Sequence, residues 1–144
     1  MSDTRPTWVK YFSQMATLVA TRATCVRRQV GCVIVDGENR VLATGYNGAL
    51  PGQDQCDEVG CFMHNGHCER CNHAEINAIT DAARRGAALS ISVAYVTLQP
   101  CMSCLRALVS AGVRQVYYNQ AYGEHSSLYH ELHDVYCVCI TDFG

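Results

Sequence analysis

The chain has 144 residues, 49% of them hydrophobic and 17% charged, with ten cysteines and a formal net charge of −2. That is the size and make-up of one globular domain with a real core, so residues 1–144 are read as a single domain. The basic residues, ten arginines and one lysine, are spread thinly and outweighed by acids, which excludes the electrostatic footprint of a polynucleotide or acidic membrane partner. The pairs Arg27-Arg28 and Arg84-Arg85 are short and read as solvated face, with room to hold one phosphate each.

The opening MSDTRPTWVKYFSQMATLVA lacks a basic start, an uninterrupted apolar stretch and a small-residue cleavage site. No apolar run approaches membrane-spanning length, so a cytoplasmic protein is expected. In a reducing compartment, ten cysteines point to metal ligation, catalysis or burial rather than disulfides, and burial is expected of Cys32, Cys137 and Cys139. Between Thr7 and Thr24, Val9, Phe12, Met15, Ala16, Val19 and Ala23 recur every three or four residues, which predicts a helix with one apolar face. Val30 to Val35 and Arg40 to Tyr46 read as two strands of a hairpin turned by Asp36-Gly37. Residues Gly48 to Asn72, rich in glycine and then in cysteine, are too long and polar for a plain connection and need a staple.

A helix starts near His73 and stops at Gly86. SVAYVTL is a buried strand, CMSCLRALVSAG a helix ended by Gly112, VRQVYY a strand, Ser126 to His133 a short helix and VYCVCI a last strand. Strands alternating with helices after residue 73 imply parallel crossovers, hence an α/β fold with a mixed sheet and helices on both faces.

Two helix starts carry the chemistry. His73 opens one, with Glu75 two residues on; Pro100-Cys101 opens the other, with Cys104 one turn later. Helix N-termini meeting at the carboxyl ends of strands can bring His73, Cys101 and Cys104 together, leaving one tetrahedral zinc position open for water, the arrangement of catalytic zinc sites. Alone, Glu75 would be a first-turn carboxylate complementing the helix dipole, and Cys101-Cys104 a redox pair. The redox reading leaves HAE unexplained, and the joint pattern favours zinc.

HAE followed by PCMSC is similar to the HxE and PCxxC signature of zinc nucleobase deaminases. The chain resembles the cytidine deaminase superfamily. Over roughly residues 10 to 123, the segments TCVRRQVGCVIVD, ATGYNGALPG, CDEVGC, HAEINAI, YVTLQPCMSC and SAGVRQVYY together resemble its deoxycytidylate (dCMP) deaminases. The resemblance implies a three-layer α/β/α fold with a mixed five-stranded sheet, and hydrolysis of dCMP to dUMP and ammonia, supplying the dTMP precursor. It implies that water activated at zinc adds to C4 of the cytosine ring while Glu75 shuttles protons. By similarity, Asn47 binds the sugar, the Ala74 N–H the pyrimidine carbonyl and Tyr122 the base, with Arg22 chosen for the 5′-phosphate.

The resemblance further implies a second, structural zinc on Cys25, Cys56, Cys68 and Cys71, with Cys61, His64 and His67 as rival ligands. It implies a hexamer activated by dCTP with magnesium and inhibited by dTTP, with Gly45, Gly48 and Arg84 beside the effector at a subunit contact. Rival readings are deamination of cytidine, cytosine or tRNA adenosine. From a different class stands a non-catalytic zinc-stapled binding module, which would have no use for Glu75.

Overall fold

The computed structural model describes residues 4–140. Helix α1, Trp8–Ala20, begins at Thr7, whose hydroxyl accepts the Lys10 amide at 3.2 Å. It stops four residues before the expected Thr24. Three successive tight turns at Thr21, Arg22 and Ala23 unwind it, and the Thr24 amide then donates to the Asn47 carbonyl at 3.1 Å, drawing the chain onto the sheet.

Strands β1 (Gly31–Val35) and β2 (Val41–Tyr46) form the expected hairpin. Asp36 organises its turn, Oδ1 accepting the Glu38 and Arg40 amides at 2.8 and 3.0 Å. The left-handed residue of that turn is Asn39, at φ 61°, rather than Gly37. The segment after it, expected to be one long loop, is built of small pieces. Strand β3 (Gly48–Ala49) pairs with β6 (Cys71–Asn72), and between them lie the single-turn helix α2 (Cys56–Val59) and a small hairpin of β4 (Met63–His64) and β5 (His67–Cys68).

Helix α3 (Ala74–Arg85), strand β7 (Ser92–Leu98), helix α4 (Met102–Ala111) and strand β8 (Val113–Gln120) follow as expected. Helix α5 runs Ser127–Tyr136, longer than expected, and leaves strand β9 only Cys137–Cys139. Cys32 and Cys137 are buried, but Cys139 is exposed at the end of β9, a strand at the edge of the sheet.

The main sheet has the order β2-β1-β7-β8-β9, antiparallel through the first three strands and parallel through the last three. This is the mixed five-stranded sheet of the expected three-layer fold. Phe12 and Ala16 of α1 pack on Val33, Val35 and Tyr95 on one face. Ala74, Ala78 and Ala82 of α3, Leu105 and Leu108 of α4, and Tyr129 of α5 pack with Cys32, Ile34, Val96 and Val116 on the other. β1 is therefore apolar at every position instead of alternating.

Two glycines allow both helices to approach the hairpin. A Cβ on Gly31 would stand 2.1 Å from the Ala16 carbonyl oxygen in α1, and one on Gly45 would stand 2.3 Å from the Ala74 carbonyl oxygen in α3. Gly45 thus fixes α3, whose first turn carries the functional residues, against β2. Among the described residues, no helix is long and apolar enough to cross a membrane.

Candidate active site

His73 caps the N-terminus of α3 and Cys101 that of α4, both in extended backbone, while Cys104 is buried in the first turn of α4. α4 leaves the carboxyl end of β7, the expected crevice of an α/β sheet. α3 instead arrives from the small β3–β6 pair rather than from a main-sheet strand. His73 Nδ1 lies 3.3 Å from Cys104 Sγ and 3.6 Å from Cys101 Sγ, and all three donor atoms fall within 4.8 Å of one another. Nitrogen and sulfur ligands sharing a tetrahedral zinc stand about 3.6 Å apart, so the donor set fits that ion.

The three donors act on one another electrostatically. A hydrogen bond from the Cys104 thiol, aided by His73, draws Cys101 down to about 4, while Cys104 is held well above the usual thiol range by Cys101 and by burial. Cys101 beside it raises His73. Glu75 is 4% exposed, and burial pushes its carboxyl up to about 7 against the opposing pull of its own amide, His73 and Cys104. Glu75 is thus a buried carboxyl beside, but outside, the gathered donor triad.

A cavity of about 370 Å³ opens over this triad, lined by His73, Ala74, Glu75, Cys101, Asn47, Tyr122, Arg27 and Arg28 among others. The volume is that of a small-molecule site. Ala74, fully buried, presents the first turn of α3, where main-chain N–H groups lack partners within the helix. Asn47 lines the cavity, but its side chain already ties down the neighbouring segment: Oδ1 accepts the Val30 amide at 2.8 Å and Nδ2 donates to the Arg28 carbonyl at 2.6 Å. The Arg28 guanidinium sits 4.1 Å from the Tyr122 ring centroid.

Arg22 is exposed just past α1 and is not among the residues lining the cavity, whereas Arg27 and Arg28 are. Gln99 and Asn72 also line the cavity without any sequence signal that marked them. Of the residues expected at an effector contact, Gly45 is occupied by α3, Gly48 packs beside Thr24 and Gln55, and Arg84 is exposed.

A second cluster borders the cavity. Cys56 Sγ lies 3.2 Å from Cys71 Sγ and 3.6 Å from Cys68 Sγ, and Cys56, Cys61 and Cys68 gather within 4.8 Å. Cys25 adjoins Cys71 and Cys61, so five thiols converge, the expected four plus the rival Cys61. His64 and His67 are exposed and outside the gathered group. Burial and neighbouring thiols push Cys56 up to about 12 and help hold Cys71 at about 11. Burial opposes ionisation of Cys68 too, yet the amides of Cys71, Arg70 and Phe62 bring it down to about 6. Crowded thiols of this kind ionise together only around a cation.

Residues 6–120 match the family described as the cytidine and deoxycytidylate deaminase zinc-binding region. The chain is 40% identical to ComE operon protein 2 of Bacillus subtilis over 121 residues, which are 84% of this chain and 64% of that protein. It is 39% identical to the deoxycytidylate deaminase of Schizosaccharomyces pombe over 130 residues, 85% of this chain and 40% of that one. The matches thus span less than two thirds of these relatives. The crystal structure of dCMP deaminase from the cyanophage S-TIM5 in complex with dCMP and dUMP superposes with a TM-score of 0.80 at 25% identity, covering 96% of this chain and all of that one. With His73 of HAE and both cysteines of PCMSC gathered in one donor group inside the matched region, the chain belongs to the cytidine and deoxycytidylate deaminase zinc-binding family.

Proposed function

We propose that the protein is a zinc-dependent deaminase that converts dCMP and water to dUMP and ammonia. The observation that carries this reading is the His73, Cys101 and Cys104 triad with buried Glu75 at the base of a small-molecule cavity that Arg27 and Arg28 also line. The relatives named deoxycytidylate deaminase and the cyanophage complex support dCMP as the substrate.

Zinc held by the triad supplies, when bound, a water acidic enough to lose a proton near neutral pH. Glu75 takes that proton and delivers it to N3 of the ring as the water oxygen joins C4; it then takes the second proton from the new C4 hydroxyl and gives it to the amino group, which leaves as ammonia as the C4–N4 bond breaks and the C4 carbonyl forms. The Ala74 N–H donates to the pyrimidine carbonyl. Tyr122 lies against the base, and Asn47 holds the wall beside the sugar. Arg28, with Arg27, receives the 5′-phosphate in place of Arg22.

The five-thiol cluster would hold a second, structural zinc through Cys56 and Cys68 with two of Cys25, Cys61 and Cys71. All ten cysteines are free thiols, which supports residence in a reducing compartment such as the cytoplasm. We further infer a hexamer whose rate at subsaturating dCMP rises with dCTP plus magnesium and falls with dTTP, exposed Arg84 being open to a triphosphate. Rates unchanged by both nucleotides would mean an unregulated enzyme.

The substrate assignment is tested by ammonia release from dCMP, CMP, deoxycytidine, cytosine and an anticodon-loop RNA carrying adenosine. The expected order has dCMP first. Preference for deoxycytidine, cytosine or the RNA would contradict it.

A further inference from the structure

Gln99, 9% exposed, stands between the end of β7 and the Pro100-Cys101 start of α4, and its main-chain N–H donates to the Gln120 carbonyl at 2.8 Å. Its side chain lines the cavity and joins two other segments. Oε1 accepts the Tyr122 amide at 3.0 Å, and Nε2 donates to the Tyr129 hydroxyl at 3.3 Å. That hydroxyl, buried in α5, donates in turn to the carbonyl of Pro100, the residue before zinc ligand Cys101. The orientation of the amide is fixed by chemistry: a main-chain N–H can only donate, so the oxygen must face Tyr122 and the nitrogen Tyr129.

The run from Tyr122 through Gln99 and Tyr129 to Pro100 ties three separate stretches of chain to one side chain. Tyr122 lies in the connection between β8 and α5, half exposed, and its own amide is held by Gln99. The connection includes Gly123 at φ 83°, and its hold on the sheet end passes through this amide. Neither Leu nor Met at position 99 could accept the Tyr122 N–H, and a Glu could not donate to Tyr129.

We propose that Gln99 is a positioning residue for substrate binding: it fixes the Tyr122 main chain, and with it the ring that packs against the Arg28 guanidinium in the cavity lining. This rests on the reading of Tyr122 as a base contact. Catalytic chemistry at Glu75 and the zinc triad stays outside its reach, because the Pro100 carbonyl keeps its Tyr129 donor when Gln99 is changed.

The test is steady-state kinetics on dCMP with zinc content measured for each protein. Gln99→Met, close to glutamine in length but without its polar atoms, should raise KM about tenfold while kcat stays within about twofold, as expected for losing one buried hydrogen bond to the main chain. Tyr122→Ala should raise KM by itself, and adding Gln99→Met to it should cost little more, because the held ring is already gone. Tyr129→Phe, which frees Gln99 but also takes the donor from the Pro100 carbonyl beside Cys101, should raise KM severalfold along with any fall in kcat, and serves if Gln99→Met fails to fold. An unchanged KM in the Gln99 or Tyr129 variant, a KM effect that multiplies in full onto Tyr122→Ala, or a loss confined to kcat or zinc would overturn the role of Gln99. Tyr122→Ala with normal KM would instead overturn the reading of Tyr122, and the proposal with it.

Discussion

Arg28 shows how much of a binding site depends on where the main chain runs. Its carbonyl is held by Asn47 Nδ2 at 2.6 Å and its guanidinium lies 4.1 Å from the Tyr122 ring centroid, so the cation at the cavity mouth is oriented before any ligand arrives. Arg28→Ala should lower kcat/KM for dCMP by roughly 10 to 100-fold, the range of a charge-assisted hydrogen bond to phosphate, and leave slow turnover of deoxycytidine unchanged. Equal losses on both substrates would remove Arg28 from phosphate recognition. At this scale the sequence exposed some placements and hid others. His73, Glu75, Cys101 and Cys104 were legible because the chemistry demands short spacings at two helix starts. Which arginines line the cavity was not: Arg22, Arg27 and Arg28 compete within seven residues, and only the turns at Thr21 to Ala23 and the Thr24–Asn47 bond decide which reaches it.

Elements meet where side chains are smallest, and Gly45 is the sharpest case. A methyl there would press on the Ala74 carbonyl and the Ala78 amide, main-chain atoms of the helix that carries Ala74 and Glu75 in its first turn. Gly45→Ala should therefore cost about 1 to 3 kcal/mol of stability and reduce kcat, since α3 must shift. The control is Gly37→Ala, in open space at the hairpin turn, expected within about 0.5 kcal/mol of the parent. Thermal melts and kcat of both variants check this; indistinguishable melts would contradict the packing argument. The hairpin, α3, β7, α4 and β8 were readable from apolar periodicity and from the stops at Gly86 and Gly112, both left-handed at the helix ends. The boundary of α5 and β9 was not, because Val135 and Tyr136 look strand-like locally while the helix continues through them on the support of Tyr129 packed in the core. The small strands within residues 48–72 were equally hidden, each being only two residues long.

For the molecule as a whole, the ten cysteines divide by location rather than by spacing. Two lie at the triad, Cys25 and four from the residue 48–72 segment converge beside it, Cys32 and Cys137 fill the core, and Cys139 is exposed on the edge strand. Purified protein should carry about two zinc ions per chain, and Cys56→Ser about one, with a fall in melting temperature larger than the fall in activity of the protein that stays folded. One zinc in the parent would contradict a structural site. The central claim is that a sheet and two helix starts bring zinc ligands together with a carboxyl that moves protons without binding the metal. The most direct measurement pairs zinc analysis with dCMP turnover in Glu75→Ala. The account predicts full zinc content at the triad, a normal melt and a turnover lower by roughly a thousandfold or more, the size of general acid–base and electrostatic contributions together. A variant that loses the triad zinc, or that turns over dCMP at close to the parent rate, would contradict it.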